Sequence, residues 1–481
     1  MVRMPVSTSP SRQRRSLYRL TGAPRAVAMV TACVLASPAV AQTSSPGPSA
    51  WSVSPALDTP AALKLSGSLR ARYETVDGQT RPGFESSSDL INLRTTVFAE
   101  YDFGSVRLGG ELYDSRVWGG NDRTPVTPNE VNTAELVQAY LAVDFVRPFG
   151  SDTSATVQAG RMLLNLGSRR LVAADDYRNT TNGYTGVRLD VTAPAGVKAT
   201  LIYTMPQQRL PNDLPSLLDN RTRTDRESRD AVLWGGVVSR VRTLGPATLE
   251  GSYYRFDERD ATGRPTRDRA LDTWGLRVIG DPKAGDLDYE VELIRQTGTV
   301  RSGLGLADPE LRVSAGFVHA DAGYTFPRWT TRISAEFDYA TGDGRGAKFG
   351  RFDTLFGMRR ADLAPAGLYN AIGRANLVTP GVRIEATPSR RLDLFVVYRG
   401  LWLASGTDSF STTGVRDPVG RSGDFAGQQI EGRARYWLVP NALRFEADAA
   451  WLIKGRFLET APNAGTGDDS HYLSLNLTAL F

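Results

Sequence analysis

The chain has 481 residues, 41% hydrophobic and 23% charged, with a formal net charge of +5. This is too polar for a bundle of membrane helices and too apolar for a disordered chain. One cysteine, Cys33, and two histidines, His319 and His471, argue against a disulfide framework, a Cys-rich metal site and a His-based zinc site.

Residues 1–41 read as a cleaved signal peptide. Arg12, Arg14, Arg15, Arg19 and Arg25 form a basic n-region, Ala26 to Ala36 a short apolar core, and Ala39-Val40-Ala41 the cleavage signal. Val30-Thr31-Ala32-Cys33 resembles a lipoprotein box but has too few apolar residues before it, and the bare Arg14-Arg15 pair is a weak twin-arginine signal. Cleavage after Ala41 removes six of the 57 basic residues, which leaves 51 against 52 acidic ones. The net positive charge is therefore no sign of nucleic-acid binding. Residues 42–61 read as a short periplasmic segment, and 62–481 as one β domain.

From residue 63 on, the chain alternates with period two. Leu65, Leu69, Ala71 and Tyr73 fall on one face, against Lys64, Ser66, Ser68, Arg70, Arg72 and Glu74. The same alternation recurs at 287–293, 329–339, 429–438 and 443–453. About 18 strands are predicted, starting near residues 63, 90, 105, 133, 154, 185, 197, 231, 246, 271, 285, 311, 329, 378, 392, 427, 442 and 471. Strands of about 9–11 residues, apolar on one face and ionic on the other, suit a transmembrane barrel with a wet lumen better than a sandwich. Connection lengths agree. Asp102-Phe103-Gly104, Pro194-Ala195-Gly196, Gly245-Pro246, Asp281-Pro282, Thr387-Pro388 and Val439-Pro440-Asn441 read as tight turns. Pro206 to Asp230, Gly342 to Leu377 and Gly406 to Ala426 read as long external loops. Short periplasmic turns alternating with long external loops define an up-and-down antiparallel barrel, and an even count puts both termini in the periplasm. The last strand sets Leu473, Leu475, Leu477, Ala479 and Phe481 on one face, which looks like the terminal strand that outer-membrane barrels present to their assembly machinery.

Several spaced motifs then resemble the alginate-export family. They are Gly160-Arg161-Met162-Leu163, Gly167-Ser168-Arg169-Arg170-Leu171, Arg178-Asn179-Thr180, Gly186-Val187-Arg188-Leu189, Phe352-Asp353-Thr354-Leu355-Phe356, Ala375-Asn376-Leu377, Gly381-Val382-Arg383, Pro388 and Tyr398-Arg399. The resemblance covers most of residues 60–481. It implies an 18-stranded Gram-negative outer-membrane barrel whose arginine-rich lumen passes an acidic polysaccharide out of the cell.

By phase, Arg70, Arg72, Arg94, Arg107, Arg161, Arg188, Arg332, Arg383, Arg399, Arg433, Arg435 and Arg444 point inward, where fixed cations would attract a polyuronate. Inward carboxylates are as numerous, among them Glu74, Glu100, Asp288, Glu290, Glu292, Glu336, Asp338, Glu431 and Glu446, so cross-strand pairing is the plain alternative for any single arginine. The 342–377 loop carries Phe352, Phe356, Arg359 and Arg360 and is expected to reach into or over the lumen. His319 beside Asp321 reads as a wall residue, and no catalytic motif is present, so no enzyme activity is expected. No cofactor is expected, although Asp219, Asp225 and Asp230 on an external loop could hold Ca²⁺. The expected partners are lipid and lipopolysaccharide, the assembly machinery at Phe481, and an anionic polysaccharide or small acidic solute, with no nucleic acid and a monomeric state. An uptake porin for small carboxylates or oligosaccharides is the alternative function, and a non-transporting adhesin or lumenal hydrolase is the alternative of another class.

Overall fold

Alternation with period two sends every second side chain to the same face, so a strand of this chain must bury its apolar side in lipid and its ionic side in a lumen. A computed structural model describes residues 49–53, 57–359, 362–363, 365–465 and 468–481. The predicted signal peptide, its cleavage point after Ala41, Cys33 and Arg360 lie outside the described residues.

The strands are β1 (Leu63–Asp77), β2 (Ser88–Asp102), β3 (Val106–Trp118), β4 (Asn132–Val146), β5 (Ser154–Leu163), β6 (Gly183–Ala193), β7 (Val197–Pro206), β8 (Ala231–Leu244), β9 (Ala247–Glu258), β10 (Ala270–Gly280), β11 (Leu287–Arg301), β12 (Glu310–Phe326), β13 (Thr331–Ala340), β14 (Lys348–Phe349), β15 (Leu377–Ser389), β16 (Leu392–Trp402), β17 (Phe425–Val439), β18 (Leu443–Lys454) and β19 (Ser470–Leu480). β14 is a two-residue strand inside a loop, paired in parallel with β12. The other 18 form the wall, each antiparallel to its neighbour in sequence, and β1 pairs with β19 to close it. Tyr73 faces Leu475 across that seam, and Arg70 faces Thr478. Closure leaves no free strand edge in the membrane.

The 18 wall strands begin within one or two residues of the positions read from periodicity. Two details differ. Trp329 is not in a strand but in the turn before β13, with φ +56°. Thr387-Pro388 lies at the end of β15, where the register shifts, and the chain reverses at Arg390-Arg391 instead. Proline lacks a ladder N–H, so Pro388 suits a position where the pairing is already irregular.

Leu108, Leu112, Leu276, Leu293, Val382, Ile384 and Val396 project outward and are exposed, as an apolar lipid-facing belt requires. Tyr101, Phe145 and Phe326 rim it at the end of the short turns, and Tyr203, Trp234 and Trp451 rim it at the end of the long loops. The wall thus spans the outer membrane, with the short turns on the periplasmic side.

Candidate functional site: the lumen

The inward arginines fall into layers. On the periplasmic side Arg107 holds Asp144 at 2.9 Å and Glu100 at 3.4 Å. Arg188 holds Asp190 at 2.7 Å. Arg332 bonds to Asp288 and Asp321, Arg435 bonds to Glu446, and Arg444 lies 3.9 Å from Glu446. At mid-barrel Arg433 meets Asp393 at 2.8 Å, Arg383 meets Glu385 at 2.8 Å, and Arg399 sits 3.5 Å from Glu431 and 3.7 Å from Glu336. Nearer the external end Arg161 binds Glu135 at 2.5 Å and Glu227 at 3.0 Å. Neighbouring strands supply opposite charges on one face, so most of these guanidiniums are consumed within the wall.

Arg70 and Arg94 form no ion pair with a carboxylate among the described residues. They bind backbone instead. The loop between β5 and β6, residues 164–182, folds into the lumen and offers its carbonyls to them. Arg70 donates to the carbonyls of Asp176 (3.2 Å), Tyr177 (3.2 Å) and Arg178 (2.7 Å). Arg94 donates to Asp176 and Arg178 at 3.1 Å each, and Arg72 to Tyr177 at 2.7 Å. Asn179, 3% exposed, donates through Nδ2 to the carbonyls of Leu93, Arg116 and Glu130 at 2.8–3.2 Å. Arg70, Arg72, Arg433 and Arg435 lie within a few strands of one another across the β1–β19 seam, but they split between loop anchoring and wall pairing.

The long loop between β13 and β15, residues 341–376, also enters the lumen. Arg81 and Gln79 reach the carbonyl of Leu368 at 2.7 and 3.2 Å, and the Tyr369 hydroxyl donates to Gln429 on β17. Phe352, 2% exposed, stacks on Phe317 with centroids 5.6 Å apart, and Phe356 meets Tyr184 and Phe256 edge-on at 5.8 and 5.4 Å. Arg359 bonds to Asn370 within the loop. The two loops also pair with each other: Phe356 N–H donates to Leu171 at 2.9 Å and Ala173 N–H to Phe356 at 3.1 Å. Leu164, Val172, Ala173, Leu363, Leu368 and Ile372 are buried there, so the external half of the barrel holds an apolar core.

Arg170 locks this assembly. It is 1% exposed and binds Glu290 and Glu292 of β11 at 2.5 Å each and Asp362 of the long loop at 2.7 Å. Arg374 shares Asp362, and Arg399 donates to the Asp362 carbonyl at 2.8 Å. Strand phase could not find Arg170, Asp362 or Asn179, because none lies on a strand. Arg170 and Asn179 do stand in motifs of the family resemblance, and those motifs mark the lumenal loop. Gly160 of the first motif takes φ +123°, and a Cβ there would sit 2.2 Å from the Ala139 carbonyl, so only glycine fits.

His319 is inward, but its partner is Asp338 on the next strand (Nδ1 to Oδ1, 2.8 Å), while Asp321 is taken by Arg332. Asp219, Asp225 and Asp230 are bound separately, to Arg221, to Leu210 and Asn132, and to Ser228. Among the described residues no group of His, Cys, Asp and Glu is arranged to hold a metal.

The sequence profile of the Alginate export family matches residues 61–472. No curated protein sequence shows significant similarity to the chain. Solved porin structures share the fold. Pseudomonas aeruginosa OccK8 (OprE) is 14% identical with a TM-score of 0.56, over 87% of this chain and 98% of that one. Acinetobacter baumannii OccAB1 is 14% identical with a TM-score of 0.55, over 87% and 96%. Pseudomonas aeruginosa OpdK with vanillate is 11% identical with a TM-score of 0.53, over 87% and 98%.

Proposed function

From the premise that this chain belongs to the alginate export family, we propose that its barrel passively conducts small acidic solutes, carboxylates and short acidic saccharides, across the outer membrane. One observation carries the reading: two loops fold into the lumen, pack against each other and bind the wall arginines. A lumen so filled favours small solutes over a polymer. The remaining charge acts over about 8 Å at physiological salt, so it discriminates ions only where the path is narrow. Export of an alginate-like polyuronate is the second reading, favoured by the family and by the arginine-rich wall. It requires both loops to swing aside.

The exposed outward face of β19 (Leu473, Leu475, Leu477) supports recognition by the barrel assembly machinery, and closure within one chain supports a monomer. The test is single-channel conductance in a salt gradient, with glucuronate, an alginate oligomer and a neutral oligosaccharide as competitors. Anion-selective current reduced by glucuronate but not by the neutral sugar is expected. Cation selectivity would overturn the reading, and current through which the alginate oligomer itself passes would favour polymer export.

A further inference from the structure

A cavity of about 250 Å³ opens at the external end of the lumen, between the strand ends of β10 to β12 and the 341–376 loop. Its lining includes the apolar side chains of Leu271, Val300, Val313, Phe349 and Phe352. Beside Gln296, Asp353, Thr354 and Thr412, the same lining carries five guanidiniums. Three of these are neutralised, Arg269 by Glu258 and Asp353, Arg351 by Asp408, and Arg374 by Asp362. Two are not. Among the described residues Arg267 donates only to the carbonyls of Arg301 (2.9 Å) and Ser302 (3.3 Å), and it lies 4.6 Å from the Phe349 ring centroid. Arg359 bonds only to Asn370 among the described residues. Burial, and next the nearby Arg178 guanidinium, push the ionisation of Arg359 below its ordinary value, so a bound anion would relieve the site.

We propose that this cavity is a binding site for a compact monocarboxylate with an apolar, preferably aromatic, body, its carboxylate held between Arg267 and Arg359 and its ring against Phe349 and Phe352. The proposal deepens the channel reading and rests on it for the path onward. The volume lies below the ~300–1,000 Å³ of sites for drug-sized ligands, which suits one ring and one acid group. A uronate would leave any hydroxyl turned toward Val300, Val313 or Phe352 without a hydrogen bond, at a cost that an apolar ring avoids, while Gln296, Thr354 and Thr412 of the same lining could pair with its others. Guanidinium and aromatic faces together suit a planar acid.

The experiment is calorimetric titration of the full-length barrel in detergent with benzoate, benzyl alcohol and glucuronate. Benzoate is expected to bind at least about tenfold more tightly than either of the others, and this comparison needs no variant. The Arg267→Gln/Arg359→Gln double variant, checked for heat-dependent mobility in SDS, is expected to lose at least about tenfold in benzoate affinity. Equal binding of glucuronate, retained affinity in the folded double variant, or no benzoate binding to the wild type would each overturn the proposal. Anion-selective current without benzoate binding would sink this site and leave the channel reading intact. Benzoate binding with cation-selective current would do the reverse.

Discussion

Arg170 shows what a single buried charge does in this lumen. It faces three carboxylates at 2.5–2.7 Å with almost no solvent access. Removing it leaves Glu292 a buried charge with no ion pair among the described residues, while Glu290 keeps only Arg277 and Asp362 only Arg374, and breaking such a set costs roughly 3–5 kcal/mol. Arg170→Gln is therefore expected to lower the unfolding midpoint sharply in a denaturant titration. Arg188→Gln, at a partly exposed pair, should change stability by less than about 1 kcal/mol. Equal midpoints for the two variants would mean that Arg170 is not the lock. Glu130, in the loop after β3, adds a pH dependence. Burial lifts its carboxyl to about 7, against hydrogen bonds from Thr127 that oppose the rise. A raised acid binds its proton more tightly in the folded loop. Its contribution is therefore fully present below the ordinary value of 4.5 and is lost as pH climbs through about 7. Hydrogen exchange in residues 119–131 and 176–182 should thus quicken between pH 5 and pH 8, and Glu130→Gln should flatten that profile.

At the scale of elements, the 164–182 loop is held by arginines that strand phase assigns to the solute path. Arg70 and Arg94 spend their donors mainly on its backbone, and Arg72 divides its own between the Tyr177 carbonyl and the wall residues Asn476 and Glu74. Arg70→Ser/Arg72→Ser should therefore free the loop and raise single-channel conductance and its noise, rather than only reduce anion preference. Reduced selectivity at unchanged conductance would return these two residues to the solute path. Shortening the long loop across Leu363 to Ile372 should also raise conductance, because these residues carry part of the apolar core. An unaltered conductance would show that the solute bypasses this loop.

For the molecule as a whole, stability depends on keeping two opposite surfaces apart: lipid outside, paired charge inside. Leu276 lies midway along β10, is half exposed and faces outward, opposite Leu293 of β11. Leu276→Arg is expected to cost about 2–4 kcal/mol, the range for a basic residue near the middle of a lipid-facing strand, measured by refolding into vesicles. A cost near zero there would contradict the assignment of the two faces.

The amino-acid sequence by itself determined the wall. Period-two alternation carries strand position, strand face and the even count, because one residue's phase decides between lipid and lumen along a whole strand. The alternation of short and long connections carries the orientation in the same way. Only the tertiary structure decided what each inward charge does. Arg70 and Arg383 have the same phase, yet one holds loop carbonyls and the other a carboxylate two residues on, because partners come from register and from loops that return into the barrel. Loop residues have no period. Arg170, Asn179 and Asp362 acquire their roles from contacts with segments more than a hundred residues away or across the lumen, and these exist only once the barrel has closed around them. The mixed cavity at the external mouth is of that kind as well, since Arg267, Val313 and Arg359 share no motif and meet only where three strand ends and one loop converge.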